Sequence, residues 1–473
     1  MQFDQDFIGV DFFSDASDTT RFFAEFSIPE GGLTAPGTRF VDINDPVFQS
    51  YLRVFVLPQM GRNTTVKELL VELMDYFRLH GNPDKVSPRV RTAGSLRSGQ
   101  IEYNLANDSN EFVRVTPEGW RVTTKHKHKF LSSAIALPQI TPVAGSRSLP
   151  QLMKPYVNIA SEDDLLLLCT WLVQAFCDGN HLALLLMAGR GSGKSCLSKM
   201  LRQIIDPSRL GVCTMPDKLD ALFATLSNSY MVAFDNTAEL SKNVSDILCS
   251  AITGTVCPKR ELYTTNSISI FELHNTVILN GIDILPSQSD LADRCLLLKL
   301  QSISEQTRKP ESELWEAFES DHAEILGAIF TTLSTAMSVI QTLNPQKKPR
   351  MADAYIDMLA IAIAMGYSEE KFSDVFFGNQ TALDKARAEI AIVEAIAEFM
   401  ASPYITGRKV SGTMTEIYRK VKETYSGSKA DLPKSASHFS RKLTAEHAAL
   451  YAAGFMVNID PKSDATHLEI IKK

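Results

Sequence analysis

The stretch that most constrains this chain is His181 to Leu201, HLALLLMAGRGSGKSCLSKML, where an apolar run passes directly into A-G-R-G-S-G-K-S and then into a helical pattern. Strand, glycine-rich turn and helix in that order are the context a phosphate-binding P-loop requires. Three glycines, Gly189, Gly191 and Gly193, let the backbone turn its N–H groups onto phosphate oxygens. Lys194 supplies charge to the β- and γ-phosphates, and the Ser195 hydroxyl supplies a Mg²⁺ ligand. The expected nucleotide contacts are Gly189, Arg190, Gly191, Ser192, Gly193, Lys194, Ser195 and Cys196, with ATP and Mg²⁺ as cofactors. Ala188 stands where the strict motif begins with glycine.

Such a turn needs a metal-organising acid at the end of a neighbouring strand, and SYMVAFDN provides a strand ending in Asp235. Ser195 and Asp235 are therefore the expected metal ligands, and Lys194 and Asp235 head the catalytic set. Asn236 follows where many ring-forming ATPases place a glutamate base, so water is expected to be positioned by Asp235 and Asn236, or by a base from elsewhere such as Glu239. A further strand, in TVILNGID, ends in Asn280, whose amide can hold the attacking water or the γ-phosphate; capping a turn is the simpler alternative. Arg294, in SQSDLADRCLLLKL, either reaches across a subunit boundary to transition-state charge or forms an i,i+4 pair with Asp290.

At 473 residues the chain exceeds one ordinary core and has room for two to four domains. No apolar run approaches the roughly 18 residues needed to span a bilayer. The start, MQFDQDFIGVDFF, lacks a basic segment and a cleavage site, so a cytoplasmic protein without membrane attachment is expected. Seven scattered cysteines with no C-x-x-C pair read as buried thiols in a reducing compartment and give no zinc pattern. The net charge of −7 excludes a uniformly basic nucleic-acid coat, although residues 401 to 473 carry 12 Lys and Arg against 7 Asp and Glu.

The periodicity predicts a helix over 64–79 and short strands over 100–133, giving a small α+β domain over 1–155 of unassigned role. A helix over 162–178 then leads into an α/β ATPase core over 156–305 built on a parallel sheet, with helices over 194–204, 216–228 and 244–253 and strands over 230–235, 276–280 and 295–300. Helices over 311–343, 351–366 and 382–401 form a helical region, 306–402. Helices over 414–425 and 436–453 followed by FMVNID, a turn at PKSD and HLEII suggest a winged helix over 403–473, with Lys434, Arg441 and Lys442 along its second helix facing duplex DNA.

The runs FDNTAELSKNVSDILCSAITG, KRELYTT, TVILNGID, SDLADR, ELWEAFE, ILGAI and PRMAD resemble AAA+ ATPases of phages and integrated mobile elements, similar to superfamily 3 (MCM-like) replicative helicases. The resemblance runs from about residue 40 to the end and is dense over 155–365. It implies a homo-oligomeric ring, a hexamer, that translocates on single-stranded and forked DNA beside other replication proteins. It makes Asn280 a γ-phosphate sensor, Arg294 an arginine finger acting in trans, and Pro258 to Phe271 a DNA-touching hairpin. Lys259, Arg260 and Tyr263 are then the candidate DNA contacts on that hairpin, by phosphate pairing and base stacking, or a solvated turn. Several relatives carry a primase-polymerase domain, but residues 1–155 hold no paired-carboxylate primase motif. A helicase or replication initiator is the leading expectation. A helicase loader or origin remodeller without unwinding of its own, and a regulatory or defence NTPase using ATP as an assembly switch, are the alternatives.

Overall fold

The computed structural model describes the chain outside residues 1–8, 19, 30–36, 61–62, 190, 238–239, 261–267, 282–288, 305, 307, 404, 428, 430, 462–465 and 473. It is a multidomain α+β protein with several separate sheets.

The first sheet joins β1 (Val10–Asp15), β2 (Phe22–Ile28), β3 (Gly37–Asp42) and β4 (Lys85–Val86) in the order β3-β2-β1-β4. Its core is aromatic because Phe22 and Phe26 alternate onto the face covered by helices α1 (Pro46–Tyr51) and α2 (Val66–His80), with ring centroids 5.2 Å apart for Phe26 and Phe48 and 4.9 Å for Phe22 and Phe77. The α2 helix forms where expected: Leu69, Leu70, Leu73 and Phe77 fall on one face, and Thr65 and Glu68 close a capping box.

The second sheet is a meander of β5 (Thr92–Ser95), β6 (Gln100–Asn104), β7 (Phe112–Thr116) and β8 (Gly119–Thr123). Gly94 is required there, since at φ +91 a Cβ would stand 2.1 Å from the Gln100 carbonyl oxygen. This sheet corrects the expectation of one independent unit over 1–155. Ile101, Tyr103, Val113 and Val115 lie in the same buried cluster as the central sheet. Tyr103 Oη donates to Ile205 O at 3.0 Å, and Trp120 Nε1 donates to Thr331 Oγ1 at 3.0 Å. No break in the core falls near residue 155, because both faces of the junction are apolar and close-packed.

The central sheet comprises β9 (Ala183–Met187), β10 (Cys213–Thr214) and β11 (Met231–Asp235), then, beyond a separate hairpin of β12 (Val256–Arg260) and β13 (Ile268–Glu272), β14 (Thr276–Gly281) and β15 (Cys295–Lys299). Its five strands are all parallel, in the order β10-β11-β14-β9-β15. Continuous apolar runs such as Ala183 to Leu186 follow from burial on both faces. Helices α3 (Leu149–Met153), α4 (Glu162–Gln174), α5 (Lys194–Ile205), α6 (Leu219–Ser227), α7 (Lys242–Thr253) and α8 (Ser289–Ala292) surround or connect it. The α4 helix stops at Gln174, short of the expected 178, as Ala175 to Cys177 turn toward β9.

Three long helices follow: α9 (Glu311–Val339), α10 (Ala352–Ala364) and α11 (Glu369–Ala401). They are not a separate helical unit, since Phe318, Ile325, Phe330, Tyr355, Leu359 and Phe372 belong to the central core. By length and composition the 311–342 segment is apolar enough to cross a bilayer, but its buried face is already accounted for by that core. The α11 helix starts thirteen residues before the expected 382, at a Ser368 cap on Lys371 N, and runs unbroken through Gly378. It also covers the sheet edge, where Asn379 exchanges hydrogen bonds with Leu297 at 2.6 and 3.1 Å and Gln380 donates to Cys295 O at 3.0 Å.

The carboxy-terminal unit contains β16 (Lys409–Thr413), α12 (Met414–Thr424), α13 (Ala436–Ala445), α14 (His447–Ala452), β17 (Phe455–Pro461) and β18 (Thr466–Lys472). Two expectations are corrected: the 436–453 helix breaks at Glu446 (φ −95, ψ 18), and β16 adds a third strand in the order β16-β18-β17. Residues 462–464 of the expected PKSD turn lie outside the described residues.

One buried ion network ties the second sheet to the central one. Arg91, at 1% exposure, donates from Nε to Asp206 Oδ1 at 2.9 Å and from Nη2 to Pro207 O at 2.8 Å, while Arg202 lies 3.7 Å from Asp206 Oδ2 and Met231 N donates to that oxygen at 3.2 Å. Asp206→Ala leaves two buried guanidinium groups without their carboxylate. It should destabilise the fold by about 3–5 kcal/mol, read as a fall in urea midpoint; an unchanged midpoint would show that the network carries no such weight.

Candidate active site

The β9 strand delivers the chain into the turn 188–195, and α5 leaves it. Gly191 (φ +72) and Gly193 (φ +83) are in the left-handed region that favours glycine, and Gly193 is the N-cap of α5, so the first N–H groups of the helix face the turn. Lys194 Nζ folds back onto the turn, donating to Ala188 O at 2.7 Å and Gly189 O at 2.9 Å, while Ser192 Oγ donates to Gly189 O at 3.0 Å. Burial pushes the Lys194 ammonium below its ordinary pKa, and the Asp235 carboxylate opposes that shift.

Two expected partners meet directly: Ser195 Oγ donates to Asp235 Oδ2 at 2.7 Å. The other carboxylate oxygen accepts from Asn236 N at 2.7 Å. Asn236 is exposed with φ +50, a conformation asparagine tolerates better than most residues. The next residue, Thr237, is buried, and its N–H reaches Asn280 O at 3.0 Å, which fastens the turn after β11 to the end of β14.

Asn280 is fully buried, and its Nδ2 donates to Ser198 Oγ at 3.3 Å, one turn beyond Ser195 on α5. Among the described residues its Oδ1 has no partner. Lys194, Ser195, Asp235 and Asn280 thus gather around the first turn of α5. The combination of N–H groups, an ammonium, a hydroxyl and a carboxylate can hold an anion next to a hard cation. Arg190 and Glu239 lie outside the described residues. Cys196 is half-buried on α5, where burial raises its thiol pKa, opposed by Lys199 and reinforced by Glu311.

Arg294 is elsewhere. Its carbonyl accepts from Ala183 N at 2.8 Å, at the start of β9, whereas the turn follows the end of that strand, roughly 16 Å along. Its guanidinium pairs with Asp290 Oδ2 at 2.7 Å, and Asp290 also pairs with Arg350. The hydrogen bond from Arg294 is the main cause holding the Asp290 carboxyl below its usual range. Burial pushes the nearby Cys249 thiol up to about 12, against the pull of Arg294.

Of the candidate DNA contacts, Lys259 and Arg260 are on β12, paired in register with Ser269 and Ile268, and Tyr263 lies outside the described residues. Lys434 and Arg441 are exposed, but Lys434 precedes the Ser435 cap of α13 and so is not on that helix. Lys442 pairs with Glu446 at 3.3 Å, which turns it from solvent. Sequence reasoning missed Ser198, Thr237, and Ile303 and Arg308, which lie against the turn. Only Ser198 carried a signal, its three-residue offset from Ser195 along α5.

A buried, unpartnered amide oxygen costs stability, typically ~1–3 kcal/mol. Asn280→Leu, of similar volume and without that oxygen, is therefore expected to unfold at a denaturant midpoint no lower than the parent's. A marked drop would mean that the Ser198 hydrogen bond outweighs the orphaned oxygen.

No curated protein matches the chain. The A-form apo structure of the NrS-1 C-terminal region-CTR aligns over 98% of this chain and 97% of that one at 10% identity and a TM-score of 0.41. The apo structure of the NrS-1 C-terminal region (305-718) aligns over 98% and 96% at 11% identity and a TM-score of 0.40. Neither likeness is close enough to argue from. Residues 149–368 match the family model described as actinomycete integrative conjugative element replication protein, so the central part of the chain is similar to replication proteins of mobile elements.

Proposed function

We propose that this chain is an ATP-driven DNA helicase or replication initiator of a mobile genetic element, an AAA+ P-loop ATPase with a carboxy-terminal winged helix that works as a homo-oligomeric ring, a hexamer, on single-stranded and forked DNA. The observation that carries the reading is the 2.7 Å hydrogen bond from Ser195 Oγ to Asp235, which brings the end of the glycine-rich turn to the acid at the end of β11. The parallel sheet supports it by carrying Asn280 on β14, between the strand that feeds the turn and the strand that ends in Asp235. Similarity over 149–368 to integrative-element replication proteins supports the biological setting.

In this mechanism the N–H groups of 189–195 cradle the phosphates, and Lys194 leaves the Ala188 and Gly189 carbonyls for the β- and γ-phosphate oxygens. Ser195 and Asp235, a hydroxyl and a carboxylate, are hard oxygen donors that would hold Mg²⁺, which would supply neutralising charge to the phosphates. Asn280 Oδ1, lacking a donor among the described residues, accepts from the attacking water and orients it. Arg294, too far along the sheet for its own turn, acts on a neighbouring subunit after exchanging Asp290 for phosphate, and Arg350 remains to neutralise Asp290. The β12–β13 hairpin, through Lys259, Arg260 and Tyr263, and the carboxy-terminal unit, through Lys434, Arg441 and Lys442, are the DNA contacts.

The test pairs phosphate release with separation of a fluorescent fork on one preparation. Lys194→Ala should cut ATP turnover by at least ~100-fold with an unchanged melting curve; near-parental turnover removes the ATPase reading. Arg294→Ala doped into parent protein should depress activity more steeply than its mole fraction. Strict proportionality would return Arg294 to its local pair.

Lys259→Ala with Tyr263→Ala separates the helicase from its alternatives. It should keep DNA-independent ATPase activity and lose fork unwinding, with each lost phosphate contact lowering the salt slope of DNA binding by about one. Parent-like unwinding by this variant would deny the hairpin its role. ATP turnover without unwinding by the parent chain would favour the loader, and indifference of turnover to DNA the assembly switch.

A further inference from the structure

Beyond β15 the chain does not leave the glycine-rich turn. Leu300 N donates to Met187 O at 3.0 Å and Gln301 N to Asn158 O at 2.9 Å, and ten residues later Lys199 on α5 holds Glu311 at 3.1 Å. The strap between these anchors is pinned at both ends beside the elements that flank the turn, and its residues Ile303 and Arg308 lie against it. Ile303 N donates to Gly191 O at 3.4 Å, and Ile303 Cδ1 would stand 3.4 Å from a Cβ placed on Gly193.

The strap brings one cation to the turn. Arg308 Nη2 would stand 3.0 Å from a Cβ on Gly191, so a side chain at 191 would strike the guanidinium. Among the described residues Arg308 has no carboxylate within ion-pair distance, and its hydrogen bond there is a long one, 3.5 Å, to Ile303 O. Its exposed neighbour behaves differently: Lys309 pairs with Glu313 at 3.1 Å. An arginine held over a glycine-rich turn, with no acid partner among the described residues, has five donors to offer, in a planar fork that fits two phosphate oxygens at once.

We propose that Arg308 is a phosphate ligand acting within its own subunit, closing over the polyphosphate of a nucleotide held in the turn 188–195. The inference rests on the nucleotide-binding reading above and adds to it a second cation beside Lys194. Arg308 carries the guanidinium to the turn, and Gly191 keeps the approach clear. The two arginines are thereby separated, with Arg308 serving its own turn and Arg294 out of reach of it.

The test measures binding of ATP, AMP and inorganic tripolyphosphate by titration calorimetry, without hydrolysis and in parallel with a melting curve. Tripolyphosphate reports the phosphate contact without base or sugar. Arg308→Ala should weaken ATP and tripolyphosphate about tenfold or more and AMP far less, with the melting curve of the free protein unchanged. Arg308→Lys should recover only part of the loss, since it keeps the charge and loses the fork. Equal affinities of parent and Arg308→Ala for ATP and tripolyphosphate would overturn the inference alone, as would an equal loss for AMP. If the folded parent binds neither ATP nor tripolyphosphate, the nucleotide reading fails and the inference with it.

Discussion

Asp206 carries a constraint on which the rest of the central architecture depends. It follows the last residue of α5 and binds the amide that begins β11, the same two elements whose opposite ends bring Ser195 and Asp235 together. A helix of 12 residues is a rod of about 18 Å. Fixing its end to the start of the neighbouring strand therefore sets the register in which hydroxyl and carboxylate meet. Two buried arginines compensate the charge, and one of them, Arg91, comes from just before β5. Such an ion cluster is a poor source of net stability, because desolvation offsets much of its attraction. Its value is directional: an apolar substitute would fill the volume without specifying which way the helix faces.

The parts of the site legible in the sequence were those whose chemistry is local. Gly189 to Ser195 sit in consecutive positions, and Asp235 and Asn280 each end an apolar run that could only be a buried strand. The parts that were not legible depend on pairs distant along the chain. Arg91 and Asp206 are 115 residues apart, and nothing in the composition near residue 155 marks whether Tyr103 packs on its own sheet or on α5. Gly378 hid the first third of α11, because a single glycine lowers helix propensity without forbidding a helix already held by Asn379 and Gln380 against β15. The β16 strand, KVSGT, has too little apolar character to declare itself and exists because β18 offers it a ladder.

Asp290 is shared between two arginines, so the charges around Arg294 are balanced within one chain. Every charge in the group Asp290, Arg294, Arg350 and Asp293 has a partner within one chain. Because Asp290 is shared, removing Arg294 from it leaves a carboxylate that is still neutralised. Exchange of one ion pair for another in this way costs far less than exposing a lone buried charge.

The α11 helix gives the molecule a long mechanical arm. Its 33 residues span about 50 Å. Near its start Phe372 and Phe376 are set in the central core, and at its far end Ile392, Ile396 and Phe399 are set in the carboxy-terminal one. Its base is bonded to β15, the strand that begins directly after Arg294. From Gln380 to the end of the helix is roughly 30 Å, so a tilt of about 5° at that base moves the far end by about 3 Å, comparable to one step along a nucleic-acid strand. Small adjustments at β15 are thereby geared up into larger displacements of the carboxy-terminal unit.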